Sequence, residues 1–310
     1  MSDYLWDGSG EVDPDVAALE KALSPLRQEP GPLRKRHRSR GALRLGVSLA
    51  AAVVLLGVAG VLLWQRRDVA WEVTRLAGSV AATHLHAGEV LETDAVTRVS
   101  LQVASVGNVV LLPKTRVRLL RARRGEQRLE LTRGTLEALI VAPPALFQVE
   151  TPWARAIDLG CAYRLQVDDD GSGLLDVTHG WVVFEEGRAR SYVPTGASCR
   201  VRRGRGLGAP FYRDASVAFQ GALERLETGD DGALEPLLEE ARPRDGFTLL
   251  ALVPRLPEPL ARRAYAALTA LVPEPAGVTF ESTRAMGPLA RRLWWEALGL
   301  KKVRWWSAGW

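Results

Sequence analysis

At 310 residues, with 47% hydrophobic and 25% charged content, the chain has the composition of folded globular material with room for one or two domains, which excludes wholesale disorder. The net charge of +5 is a poor guide to partners because it is unevenly spread. Seven acids face two bases between Met1 and Pro30, whereas Arg34, Lys35, Arg36, Arg38, Arg40 and Arg44 form a basic collar. An acidic tip beside a basic collar is steered toward a basic protein surface more readily than toward DNA.

Residues 1–30 read as an acidic helical segment. Asp13 is a natural N-cap and Pro14 suits the first helical position, where its missing N–H costs nothing. Val16, Leu19, Leu23 and Leu26 recur at spacings of three and four, an apolar stripe on a helix too short to be stable alone. With the upstream aromatics Tyr4 and Trp6 and Leu5 between them, ahead of a Gly8-Ser9-Gly10 break, the stripe nominates Tyr4, Leu5, Trp6, Val16, Leu19 and Leu23 as partner-binding residues. The bland alternative is that the stripe folds back on those aromatics as a small core. The run QEPGPL (Gln28 to Leu33) is a linker, and the basic stretch 31–44 is a juxtamembrane linker.

Residues 45–64, LGVSLAAAVVLLGVAGVLLW, are uncharged and apolar all the way round, long enough for a single transmembrane helix across a core of roughly 30 Å. Six basic residues precede the run and only Arg66 and Arg67 follow closely, which places the N-terminus in the cytoplasm and the later domains in the periplasm. The expected location is the inner membrane, single-pass.

Beyond the anchor the period changes. Val96–Leu101, Val109–Leu112, Val117–Leu120, Arg128–Leu131 and Leu136–Val141 are short runs rich in Val and Leu, punctuated by Gly107-Asn108, Pro113, Gly125, Gly134 and Pro143-Pro144. This is the signature of an all-β domain over 71–205. Alternation buries Val117, Leu119, Leu129 and Leu131 and leaves Arg118, Arg128 and Glu130 in water. The stretch from Leu129 to Leu136 is echoed from Leu175 to Val182 at an offset of 46, as stacked hairpins or coils of a β-solenoid or sandwich would be. In that echo His179 matches Arg133 as a surface turn residue. Spacing leaves two readings of Cys161 and Cys199: a disulfide, which the expected compartment permits, or two buried free thiols.

The segment FQVETPWARAIDLGCAY (Phe147 to Tyr163), the acidic turn Asp168-Asp169-Asp170-Gly171 and LLDVTHGWVVFEEG after it resemble the FecR family of bacterial transmembrane regulators. Val149, Thr151, Pro152, Gly160, Tyr163, Val177, Gly180 and Val182 carry the likeness, and HAGEVLETDA (His86 to Ala95) extends it over roughly 71–201. Thr151, Pro152, Gly160 and Gly180 are its structural motif residues. Cys161 stands where the family usually has Thr. The resemblance implies a cytoplasmic anti-sigma segment that binds a sigma factor, a membrane span, and a periplasmic sensor met by a periplasmic or outer-membrane signalling protein. The His and Cys zinc motif frequent in anti-sigma segments is missing, since no Cys precedes Cys161.

From Ala215 onward apolar residues fall at helical spacing, with breaks at Gly229, Pro243, Pro257, Pro273 and Pro275. Four or five helices are expected over 214–300, packed as hairpins like a helical repeat or as a simple cap on the β domain. Trp294 and Trp295 straddle the last helix, one packed and one half exposed. The Trp-rich tail 301–310 offers Trp305, Trp306 and Trp310 beside Lys301, Lys302 and Arg304 as a contact for a membrane interface or a partner.

Catalytic and cofactor motifs are missing: His84, His86 and His179 lack paired metal-ligand spacing, and GRGLG at 204–208 has no P-loop lysine and reads as a flexible exit from the β domain. The expectation is a multidomain membrane protein with an all-β FecR-like domain and an α-helical C-terminal domain. It acts as a non-enzymatic transmembrane signalling regulator with no metal, cofactor or nucleic-acid partner. The alternative is a cell-envelope scaffold whose N-terminal segment is a passive tail.

Overall fold

The computed structural model describes residues 14–26 and 68–300. They fall in two compact units, bounded as Met1–Ala59 and Gly60–Trp310. In the first, helix α1 (Pro14–Leu23) begins at Pro14 as its start signal predicts, and the chain continues into a 3-10 turn, Ser24–Leu26.

The second unit opens with sixteen strands: β1 (Trp71–Ala77), β2 (His84–Leu85), β3 (Val90–Glu92), β4 (Arg98–Val103), β5 (Gly107–Leu111), β6 (Arg116–Arg123), β7 (Glu126–Ile140), β8 (Phe147–Glu150), β9 (Arg155–Asp158), β10 (Ala162–Val167), β11 (Gly173–His179), β12 (Trp181–Glu186), β13 (Ala189–Pro194), β14 (Ala197–Arg202), β15 (Gly206–Leu207) and β16 (Phe211–Tyr212). One half runs β2-β1-β4-β5-β7-β10-β11-β14, with β15 and β16 both on β14. The other runs β3-β6-β7-β8-β9-β12-β13. Strand β7 belongs to both: Glu126–Arg133 pairs in the second half and Gly134–Ile140 in the first. Alternate residues of the strands are buried, and those from both halves enclose one core that includes Trp71, Leu101, Leu119, Phe147, Leu165 and Phe184.

The bend in β7 is set by Gly134. Its φ is +92°, and a Cβ there would lie 2.4 Å from Thr115 Cα, so only glycine lets the chain cross between the halves. Gly180 does the same in reverse between β11 and β12, with φ +77° and a would-be Cβ 2.5 Å from Gly160 O. The 46-residue echo is therefore a repeated sheet-crossing device.

This corrects the solenoid expectation. Solenoid coils stack parallel strands in register, yet among the described residues β7–β8 is the one parallel pairing and every other ladder is antiparallel. The membrane expectation is corrected as well. Among the described residues no helix is long and apolar enough to cross a membrane. The longest, α5 (Glu258–Leu271), has 14 residues and carries Arg262 and Arg263. At about 1.5 Å per residue it reaches about 21 Å, short of a hydrocarbon core of about 30 Å. The single-pass inner-membrane location is not supported, and the run 45–64 that suggested it lies outside the described residues.

Six helices follow the strands in the described C-terminal region: α2 (Val217–Glu227), α3 (Leu234–Glu239), α4 (Gly246–Leu252), α5 already defined, α6 (Phe280–Ala285) and α7 (Pro288–Ala297). The extra break comes at Met286, left-handed at φ +46°, followed by Gly287-Pro288. Phe219, Leu223, Leu226, Leu234, Leu237, Leu249, Leu268 and Trp294 build a second core, while Val217 is exposed. Trp294 is buried and donates through Nε1 to Thr283 Oγ1 at 2.9 Å. Trp295 is half buried and packs against both cores, with Trp181 at 5.6 Å and Tyr192 at 5.2 Å between ring centroids.

Candidate functional site

Of the nominated partner-binding residues, the structure describes Val16, Leu19 and Leu23, all on α1. Their spacing puts them on one face of the helix. No residue of α1 is buried: Leu19 is 63% exposed and Leu23 51%, and Leu26 in the 3-10 turn that follows is 76% exposed. Tyr4, Leu5 and Trp6 lie outside the described residues, as do Trp305, Trp306 and Trp310.

The motif residues of the β domain are structural in placement. Thr151 closes a tight turn: its N–H and Oγ1 both donate to Ala154 O at 2.8 Å, and Ala154 N–H donates back to Thr151 Oγ1 at 3.0 Å. Pro152 and Trp153 form the tip, which packs over the β10–β11 turn so closely that a Cβ on Gly171 would meet Trp153 Nε1 at 2.5 Å. Gly160, at φ +85°, donates its N–H to Asp158 Oδ1 at 2.7 Å and lies beneath Gly180.

Around Gly160 the structure gathers a buried polar cluster that sequence reasoning missed. Asp158 is 1% exposed, and the Cys161 thiol donates to its Oδ2. Burial pushes the Asp158 carboxyl up to about 7, against which the hydrogen bonds from Cys161 and Gly160 act weakly. Burial and then the adjacent Asp158 charge raise the Cys161 thiol far above its usual range, which disfavours the thiolate. Tyr163 is buried beside them with a hydroxyl that finds no hydrogen-bond partner among the described residues. The available signal was Asp158 two residues before a turn glycine, the pattern in which an Asp side chain bonds a backbone N–H.

Cys161 and Cys199 are both free and buried, so the bridge is not made. Each thiol has its own partner, Asp158 for Cys161 and Gly208 O at 3.3 Å for Cys199. Burial pushes Cys199 up to about 12.

Two ion-pair systems tie the structure together. Glu185, buried on β12, takes Arg155 of β9 at 2.9 Å and Arg190 of β13 at 2.6 Å. Arg242 grips the fully buried Asp245 through Nε at 2.7 Å and an Nη at 3.0 Å, and reaches Asp214 beyond β16 at 3.0 Å. Arg244 joins Asp214 at 2.6 Å and stacks over the Tyr212 ring at 3.8 Å. The first system links three strands, and the second fixes the helical part on the β part.

The GRGLG run is not a loose exit: Gly206–Leu207 pairs with Arg202–Val201 as β15. The β14–β15 hairpin, the end of α2 and the α4–α5 turn then enclose a cavity of about 290 Å³.

No protein-family model matches the chain, and no curated protein matches it. Two crystal structures of an anti-sigma factor candidate from Parabacteroides distasonis, at 1.65 Å and 2.50 Å resolution, are structurally similar to it. Both are 14% identical with a TM-score of 0.36, over 44% and 48% of this chain. The chain spans 65% of the length of the first and 74% of the second. That likeness is too distant to assign a family, so the FecR resemblance rests on the motif residues alone.

Proposed function

We propose that this chain is a non-enzymatic regulator of transcription that binds a sigma factor through α1. The observation that supports the reading is the exposure of Leu19 and Leu23 on an element with no buried residue of its own, continued by Leu26 in the 3-10 turn that follows. A helix of ten residues is marginal in water, so the stripe gains most when an apolar groove covers it, the helix-in-groove mode of recognition. Asp15 and Glu20 on the same helix fit the basic surfaces of proteins that themselves bind nucleic acid.

In this reading the β and helical parts form the responsive end, and their state biases whether α1 holds its client. The test is co-purification of the tagged full chain from its host. A retained sigma factor, lost from a Leu19→Asp/Leu23→Asp variant, is the expected result. Retention unchanged by that variant, or no polymerase-associated protein in the eluate, defeats the proposal.

A further inference from the structure

We propose that the cavity between the β14–β15 hairpin and the helices binds a small ligand carrying one carboxylate on a short apolar body. Three guanidinium groups line it, on Arg202, Arg205 and Arg255. Arg202 is already committed, pairing with Glu224 at 2.7 Å and Glu227 at 3.1 Å. Arg205 and Arg255 have no carboxylate within ion-pair distance among the described residues, so both cations are open to a ligand.

Arg255 is held in place. From the α4–α5 turn it crosses to the β part, donating to Leu207 O at 3.0 Å and to Ser191 Oγ at 2.7 Å. Both partners are neutral, and the guanidinium keeps further donors free. Although the residue as a whole is exposed, the protein crowding its head lowers its pKa, a sign of lost solvation that a bound anion would restore.

The acids of the cavity do not cancel this pair. Glu227 accepts from Ala209 N–H at 2.7 Å and from Arg202, and burial raises its pKa. Asp231 is exposed at the rim. A planar carboxylate matches the guanidinium fork, and one negative charge suits a site that already holds Glu227 better than the two of phosphate would. Leu226, Leu252, Leu256 and Pro257 supply an apolar wall, and about 290 Å³ limits the ligand to one side chain or a short acid. Two sources share this chemistry: a free short-chain acid, or the C-terminal residue of a peptide.

The experiment is calorimetric titration of the full chain with isovalerate, with acetyl-Ala-Leu bearing a free carboxylate, with its C-terminal amide, and with inorganic phosphate. Saturable binding of the acids and its loss in the amide are expected. Arg205 is in a hairpin turn without an ion pair, so Arg205→Gln should fold normally and weaken the acids about tenfold or more. Arg255→Gln should abolish binding, and if it does not fold, Arg205→Gln decides. A tighter peptide than isovalerate identifies a chain terminus, and equal affinity a free acid. Equal binding of the amide, tighter binding of phosphate, no binding of any acid, or acid binding unchanged in Arg205→Gln would each overturn the assignment.

Discussion

Replacing Asp158 by Asn should remove a pH dependence from the stability of the β domain. The folded chain holds the Asp158 proton up to about pH 7, because the carboxyl is buried, whereas the unfolded chain releases it near 3.8. The resulting stabilisation is complete below 3.8 and is lost as pH rises through about 7. Each pH unit over which only the folded state holds the proton is worth about 1.4 kcal/mol, so the loss from about pH 5 to about pH 8 is on the order of 3 kcal/mol. Asparagine keeps the oxygen that accepts the Gly160 N–H and cannot ionise. Urea unfolding of wild type and Asp158→Asn across that range measures it, since every other titration cancels in the difference. The variant should gain on wild type as pH rises, by about 3 kcal/mol in all. A difference that stays flat from about pH 5 to about pH 8 would refute the buried, late-titrating carboxyl.

Other perturbations test the packing. Gly134→Ala meets Thr115 at 2.4 Å with φ at +92°, and should cost more than about 3 kcal/mol, whereas Gly187→Ala at φ +56° in open space should cost about 1, both read from denaturant midpoints. Arg242→Ala strips the buried Asp245 of its bidentate partner and should lower stability by about 3 to 5 kcal/mol, with Arg242→Lys recovering only part of it. Trp294→Phe loses the bond to the buried Thr283 and should cost about 1 to 3 kcal/mol, against about 3 to 5 for Trp294→Ala, in the same unfolding assay.

Local pattern carried the sequence reading as far as single elements and not beyond. Val117 and Leu119 are buried and Arg118 sits outside, paired with Glu130, because strand alternation is a local property. Likewise Pro14 marks the start of α1, and Trp294 and Trp295 divide as one packed and one half-buried ring. What the pattern missed depends on distant partners. Gly134 reads as a break between two strands, yet it is a bend inside one, since its role is set by Thr115 across the crossing. The parallel β7–β8 pairing, which overturned the solenoid, likewise arises from the topology, whereas the Asp158–Cys161 contact joins residues three apart and its signal was local; the two thiols are unbridged. The cavity was legible only as glycines and arginines at 202–208, because its apolar wall comes from helices some 20 to 50 residues away in sequence.

The central claim is that α1 presents its apolar stripe to a sigma factor, and titrating the sigma factors of its host one by one into the full chain tests it most directly. One of them should bind wild type, and Leu19→Asp/Leu23→Asp should weaken it at least about a hundredfold, as loss of two buried anchors at about 1.5 kcal/mol or more each requires. The variant should leave unfolding of the β and helical unit unchanged, since neither side chain is buried in the free chain. Binding of equal strength by wild type and variant, or by none of the sigma factors, would contradict the account.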